Sequence, residues 1–302
     1  MEKFIQRFLS NLREKSYSEE TYENYARELE AFRLFIEKTK KRDLKLLTPD
    51  DITAFKNHLF EKPLSAPSVN RALSTIRSLV VYLYSTGVSL RIRPSDIKLE
   101  RLTKESKQLA TAEQIERLIE SPTEFEKRTP IVALRNRAML EVLFATGMRI
   151  SELVGLNRTQ IDDSGKIFIT GKGRKQRFVY LTPRATKHLT AYVAKRRDGH
   201  PALFVPMRGS NVATPASRIS PNYFQMKIKQ YRERLRINVP TSAHSLRHGF
   251  ATYLAERGAN PAALQILLGH ESLETTTRYV HASDRYAAEA HRRFHPLSGS
   301  GD

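Results

Sequence analysis

Five short segments of this 302-residue chain place cationic, imidazole or phenolic side chains beside strongly apolar runs. In Ala145-Thr-Gly-Met-Arg-Ile-Ser-Glu-Leu153, Gly147 interrupts one helical run and Arg149 begins the next turn. Glu152, three residues on, shares that face and can orient the guanidinium. Lys172 stands between Gly171 and Gly173, from where an ammonium can approach a phosphate as a point charge or proton donor; Lys175 competes for the role. His244-Ser-Leu-Arg-His248 puts His244 and Arg247 on one helical face. Leu267-Leu-Gly-His270 ends an apolar helix with His270 at its exit, and Thr275-Thr-Thr-Arg-Tyr279 follows. Plainer readings exist for each: a surface Arg–Glu pair, a solvated basic turn, a packed histidine, a core tyrosine. Tyr253 and Tyr286 are assigned to packing. His244 and His248 also have zinc spacing, but no Glu or Cys completes a familiar pattern.

Together these residues pose one chemical question. A reaction served by two arginines, a lysine, two histidines and a tyrosine, with no metal ligands and no central carboxylate base, fits phosphoryl transfer at a diester. Its in-line transition state spreads negative charge over non-bridging oxygens, which arginine forks bind in bidentate fashion. Fixed cations would then do the work that magnesium does elsewhere. A phenol with a pKa of about 10 is a weak nucleophile at neutral pH and needs nearby positive charge or a base. The departing alkoxide needs a proton, which lysine can give.

The elements that must position these groups read as mainly α. Residues 1–90 look like a run of amphipathic helices: Phe4, Phe8, Leu9 and Leu12 recur at helical spacing, and Tyr25, Leu29, Phe32 and Phe35 form a second face. Thr48-Pro49-Asp50-Asp51 and Ser65-Ala-Pro-Ser68 are helix starts, and the last helix stops at Gly87. Four helices in this length make a small bundle. Residues 91–110 are polar and charge-rich and read as a linker, and Thr111-Ala-Glu-Gln114 is a capping box that opens a second domain, 111–295. A helix follows Pro130 and ends at Gly147. Lys166-Ile-Phe-Ile-Thr170 and Arg177-Phe-Val-Tyr-Leu181 read as an antiparallel hairpin around Gly171–Gln176. Helices resume after Thr182-Pro183, Ser220-Pro221, Ser242, Asn260-Pro261 and Ser272, and the tail, 296–302, reads as flexible.

Composition narrows the class. Apolar residues at 40% and charged residues at 27% describe a globular chain, long enough for two cores. The lack of cysteine excludes disulfides, zinc–thiolate sites, iron–sulfur clusters and thiol nucleophiles. No apolar run approaches ~18 residues, so no membrane span is expected. The N-terminus has no secretory h-region, which predicts a cytoplasmic protein; nucleoid association is expected only with nucleic-acid binding. The net charge of +19 attracts polyanions such as nucleic acid. Residues 1–107 carry 21 basic and 15 acidic side chains and the remainder 30 and 17, so both halves can touch one polyanion, as a clamp would.

The five segments resemble the motifs of the tyrosine recombinases (the phage integrase family), especially the bacterial Xer-type enzymes. ATGMRISEL resembles the first-arginine box, GKGRKQRFVYL the hairpin-lysine segment, HSLRHGFATYLAERG the His-x-x-Arg box, LLGH the next histidine and TTTRYVH the nucleophile box. They stand in family order over about residues 140–282. The N-terminal helices resemble the core-binding, SAM-like domain more loosely. The resemblance implies that Arg149 and Arg247 hold the scissile phosphate, that Lys172 is the general acid and that His244 assists proton transfer. It implies that His270 bonds a phosphate oxygen, that Glu152 gives support behind them, and that Tyr279 attacks phosphorus to form a 3′-phosphotyrosyl link. It implies no cofactor, metal or ATP. The implied partners are a double-stranded DNA recombination site and four protomers on two duplexes, exchanging strands through a Holliday junction. The tetramer is either homotypic or shared with a paralogous recombinase, and a DNA translocase or accessory protein is a further partner of this class. Ser283–Phe294 is a candidate helix for docking on a neighbour or packing on its own domain. The Xer role, resolution of chromosome or plasmid dimers, agrees with the lack of an additional domain before Met1. The other readings are an integrase or resolvase of a mobile element, a type IB topoisomerase-like enzyme, and a DNA-binding protein without strand transfer.

Overall fold

The computed structural model describes residues 1–38, 43–102, 108–170, 176–207 and 217–269. The chain divides into two units, Met1–Ser106 and Lys107–Asp302. The first holds α1 (Glu2–Glu14), α2 (Glu19–Lys38), α3 (Pro49–Phe60) and α4 (Ala66–Ser85). Its core gathers the apolar stripes: Phe8, Leu29, Phe32, Phe55, Leu73, Ile76 and Leu79 are buried, and the Phe32 and Phe55 rings meet edge-on at 5.0 Å. The Thr48 start signal works as its chemistry requires. The Thr48 N–H donates to the Asp51 carboxylate at 2.8 Å, and Pro49 occupies the first helical position, where no donor is needed.

Part of the stretch read as linker lies on this bundle. Ile92 and Ile97 are fully buried in its core. The Asn70 amide clamps the backbone of Glu100, accepting its N–H at 2.7 Å and donating to its carbonyl at 3.0 Å. Polarity hid this packing, because two isolated isoleucines among charges give no periodic signal.

The second unit holds α5 (Ala112–Phe125), α6 (Pro130–Thr146), α7 (Ile150–Gly155), β1 (Lys166–Thr170), β2 (Gln176–Tyr180), α8 (Pro183–Lys195), α9 (Pro221–Arg234), α10 (Ala243–Glu256) and α11 (Pro261–Leu268). Its centre is α6, buried on nearly every side, with Ala138, Met139, Leu140, Val142 and Leu143 inaccessible. Helices α5, α8 and α10 pack around it. The strands form a two-stranded antiparallel sheet with Phe168 opposite Phe178 and Ile169 opposite Arg177. β2 starts one residue earlier than the apolar run suggests, at Gln176, because pairing rather than hydrophobicity sets its end. The hairpin turn, the helix expected after Ser272, the Ser283–Phe294 segment and the tail lie outside the described residues.

Five helix starts of this unit carry the side-chain caps their residue types predict. Thr111, Thr182, Ser220 and Ser242 accept from the N–H three residues on, and Asn260 from that two residues on, at 2.8–3.2 Å. The described residues are thus mainly α with one small antiparallel sheet. No helix among the described residues is long and apolar enough to cross a membrane.

Candidate active site

The site begins where α6 stops. Gly147 ends it in the left-handed region, at φ +59°, and a Cβ there would lie 2.3 Å from Cδ1 of Phe250. Glycine is required both for the turn and for the close approach of α10. The chain then extends through Arg149, which precedes the first turn of α7. Glu152 reaches back over that turn: Oε2 accepts the Arg149 N–H at 2.7 Å and Oε1 accepts its Nη1 at 3.0 Å. The Arg149 side chain is 39% exposed while Glu152 is 6% exposed, so the carboxylate is the buried anchor and the guanidinium the accessible end.

Ser242 caps α10 and sets the register that puts His244 and Arg247 on one face. His244 is exposed and Arg247 is buried. Arg247 donates from Nη1 to the Gly147 carbonyl and from Nη2 to the Leu268 carbonyl, both at 2.6 Å. One guanidinium thereby joins the turn two residues before Arg149 to the last residue of α11, two before His270. The structure thus brings Arg149, Glu152 and Arg247 together, with His244 three residues from Arg247. Lys172, Lys175, His270 and Tyr279 lie outside the described residues.

One residue of this cluster was not among the sequence candidates. Arg177, on the inner face of β2, forks onto Glu152 with Nη1–Oε1 at 3.0 Å and Nη2–Oε2 at 2.8 Å, and donates from Nε to the Leu267 carbonyl at 2.8 Å. A signal for it existed. Arg177 has the same strand parity as buried Val179, and an arginine on the inward side of an alternating strand must find a carboxylate. Burial pushes the Glu152 carboxyl up, but the Arg177 hydrogen bonds, the Arg149 N–H and the two positive charges outweigh it, so its pKa lies below the ordinary value. Glu152 is therefore the ionised hub of the cluster. Tyr253, assigned to packing, behaves so: its hydroxyl donates to the Ala110 carbonyl at 2.9 Å, and burial pushes its phenol up.

Known proteins show which family the chain belongs to. Residues 108–285 match the phage integrase family, and residues 5–87 match the phage integrase N-terminal SAM-like domain. The chain belongs to the phage integrase family, the tyrosine recombinases, whose members cut and rejoin DNA. Within it, the chain stands with the Xer-type site-specific recombinases. It is 33% identical to the tyrosine recombinase XerD of Halalkalibacterium halodurans, over 94% of each chain. It is also 33% identical to the tyrosine recombinase XerC of Thermodesulfovibrio yellowstonii, over 98% of this chain and 97% of that one. The fold is shared with the XerH recombinase bound to its difH substrate, at TM-score 0.68 and 23% identity over 89% of this chain and 78% of the other. It is shared too with a lambda integrase dimer on a core site, at TM-score 0.71 and 18% identity over 94% and 96%.

Proposed function

We propose that this recombinase binds a double-stranded DNA site and exchanges strands there in a tetramer, most simply to resolve chromosome or plasmid dimers in the cytoplasm. The observation that carries the residue assignments is the joint anchoring of two arginines at the Gly147 turn. Arg247 is held by two backbone carbonyls, and Arg149 is oriented from behind by Glu152 with its tip accessible. Guanidinium groups fixed before substrate arrives stabilise a developing phosphorane charge with little reorganisation.

In this reading Arg149 and Arg247 bind the non-bridging oxygens of the scissile phosphate, and His270 adds a hydrogen bond to one of them. The Tyr279 oxygen attacks phosphorus while His244 assists removal of its proton. The bond to the 5′ oxygen breaks, and Lys172 protonates that oxygen. The products are a 3′-phosphotyrosyl ester and a 5′ hydroxyl. A 5′ hydroxyl from the partner duplex then attacks the ester and releases Tyr279, so the bond energy is conserved and no nucleotide is consumed. Two such rounds pass through a Holliday junction. The partners are four identical chains or this chain with a paralogue, and a DNA translocase or accessory protein is the expected trigger. The charge of +19 makes duplex binding steeply salt-dependent.

The test is covalent trapping. Genomic DNA bound to the protein is mapped by its covalent adducts, and the mapped duplex is then supplied with a nick beside the cleavage point. The expected result on a denaturing gel is a protein–DNA adduct with the unaltered chain and none with Tyr279→Phe. No adduct, or an adduct that persists in Tyr279→Phe, overturns the reading. A Lys172→Ala variant that cleaves normally while Lys175→Ala does not would move the general acid to Lys175.

A further inference from the structure

The inward residues of β2 are Arg177 and Val179, facing Ile169 and Ile167 of β1. A guanidinium on the apolar side of a two-stranded sheet is costly unless its donors are satisfied. Two elements remote in sequence satisfy them: the carboxylate of Glu152 in α7 and the Leu267 carbonyl in the last turn of α11. Arg177 is 7% exposed and Glu152 6%, so this is an interior ion pair and not a rim contact. The packing is tight as well. A Cβ on Gly269 would meet Cδ and Nη1 of Arg177 at 3.1 Å.

We infer that Arg177 is a positioning residue for the strand-transfer reaction: it shares Glu152 with Arg149 and fastens the end of α11, so that Arg149 is oriented without being neutralised. The inference rests on the reading of Arg149 and Arg247 as phosphate-binding groups. Its physical reason is charge balance. One carboxylate facing one guanidinium makes a closed, neutral pair that attracts a second anion weakly. The same carboxylate held between two guanidinium groups leaves the cluster at a net positive charge and keeps Arg149 attractive to phosphate. The geometry divides the labour: Arg177 grips both oxygens with its guanidinium fork, while Arg149 reaches them with its backbone N–H and a single Nη. The second anchor matters too. Leu267 and Leu268 present adjacent carbonyls, one taken by Arg177 and the other by Arg247, so the hairpin and α10 grip the same helix end. Lysine supplies the charge but cannot span two carboxylate oxygens and a carbonyl.

The test uses the full chain on the mapped, nicked duplex, with single-turnover adduct formation as readout. Arg177→Met is expected to slow cleavage about 10–100-fold, the range for losing charge-assisted hydrogen bonds, with Arg177→Lys slowed less. Duplex affinity by gel shift should stay nearly constant. In a Glu152→Gln background, Arg177→Met should add at most about a twofold loss, because the two substitutions break one linkage. The acid limb of the cleavage–pH profile should move to higher pH in Arg177→Met, as Glu152 loses the bonds that hold its pKa down. Cleavage at the unaltered rate, losses that multiply in full with those of Glu152→Gln, or an unmoved acid limb would each overturn the inference. Should Arg177→Met fail to fold, Arg177→Lys carries the same double-variant and pH comparisons. Absence of adduct with the unaltered chain defeats the recombinase reading itself, and this inference with it.

Discussion

The buried side chains of the N-terminal unit are almost wholly aliphatic or aromatic, and Thr75 is the sole buried polar one among its described residues. The C-terminal unit builds an apolar core of similar kind and also buries Arg135, Arg137, Arg177, Arg196 and Arg247. Four of these five donate to backbone carbonyls at a helix end or within a loop. Arg135 bonds Val205, Arg196 bonds Ala202 and Leu203, Arg177 bonds Leu267, and Arg247 bonds Gly147 and Leu268. A bundle that offers a basic outer surface needs only apolar packing inside. A unit that must hold guanidinium groups in one geometry needs directional bonds inside, because dispersion and hydrophobic burial carry no orientation. Arginine is the residue that can tie several segments at once.

That contrast can be broken by experiment. The largest effect belongs to Arg247→Ala, which removes a charge and two carbonyl anchors. Adduct formation should fall by about 10²–10³-fold, as for loss of a transition-state donor, and a loss below tenfold would place Arg247 with ordinary packing residues. Leu73→Ala, in the fully buried centre of the N-terminal bundle, should cost about 2–5 kcal/mol in denaturant unfolding. Its cleavage rate at saturating protein, measured below the melting transition, should match the unaltered chain. A matching collapse of both quantities would erase the distinction between the units.

Gly147→Ala sharpens the same point with a smaller change. It combines a left-handed backbone with displacement of the Phe250 ring, and should cost about 1–3 kcal/mol by thermal melting. Cleavage should drop with it, because the carbonyl that anchors Arg247 moves. The smallest effect is the pH dependence of stability. The Glu152 pKa is lowered on folding, so its contribution is fully present above the ordinary carboxylate value and is lost as pH falls through the folded value. The melting difference between the unaltered chain and Glu152→Gln should therefore shrink as pH drops below about 4.3, the ordinary glutamate pKa. A constant difference across that range would mean that ionisation of Glu152 contributes nothing.

Much of the fold was legible because its signals are local. Proline at a first helical turn, a hydroxyl or amide before it, and glycine at a helix end act within a few residues, and they marked α3, α4, α6, α8, α9, α10 and α11. Strand alternation revealed the hairpin. The pairing of Arg149 with Glu152 was readable because three residues on a helix bring side chains together. Residues 91–100 were not readable as part of the bundle, since Ile92 and Ile97 are two apolar positions among charges. Arg177 was passed over among the basic residues of the hairpin, although its parity in the strand pointed inward.

What the residue order determined by itself was which chemical groups exist, in what order, and which turns expose them: an arginine after a helix-ending glycine, a His-x-x-Arg face, and a tyrosine downstream. Those are short-range facts, governed by backbone sterics and helical periodicity. Which groups share a counterion, and which carbonyls hold them, was decided only in three dimensions. Arg177 is 25 residues from Glu152, and Arg247 is 100 from Gly147. Contacts at such separations form only when the core closes around α6, because only that packing brings the ends of α6 and α11 and the inner face of β2 within reach of the same guanidinium groups.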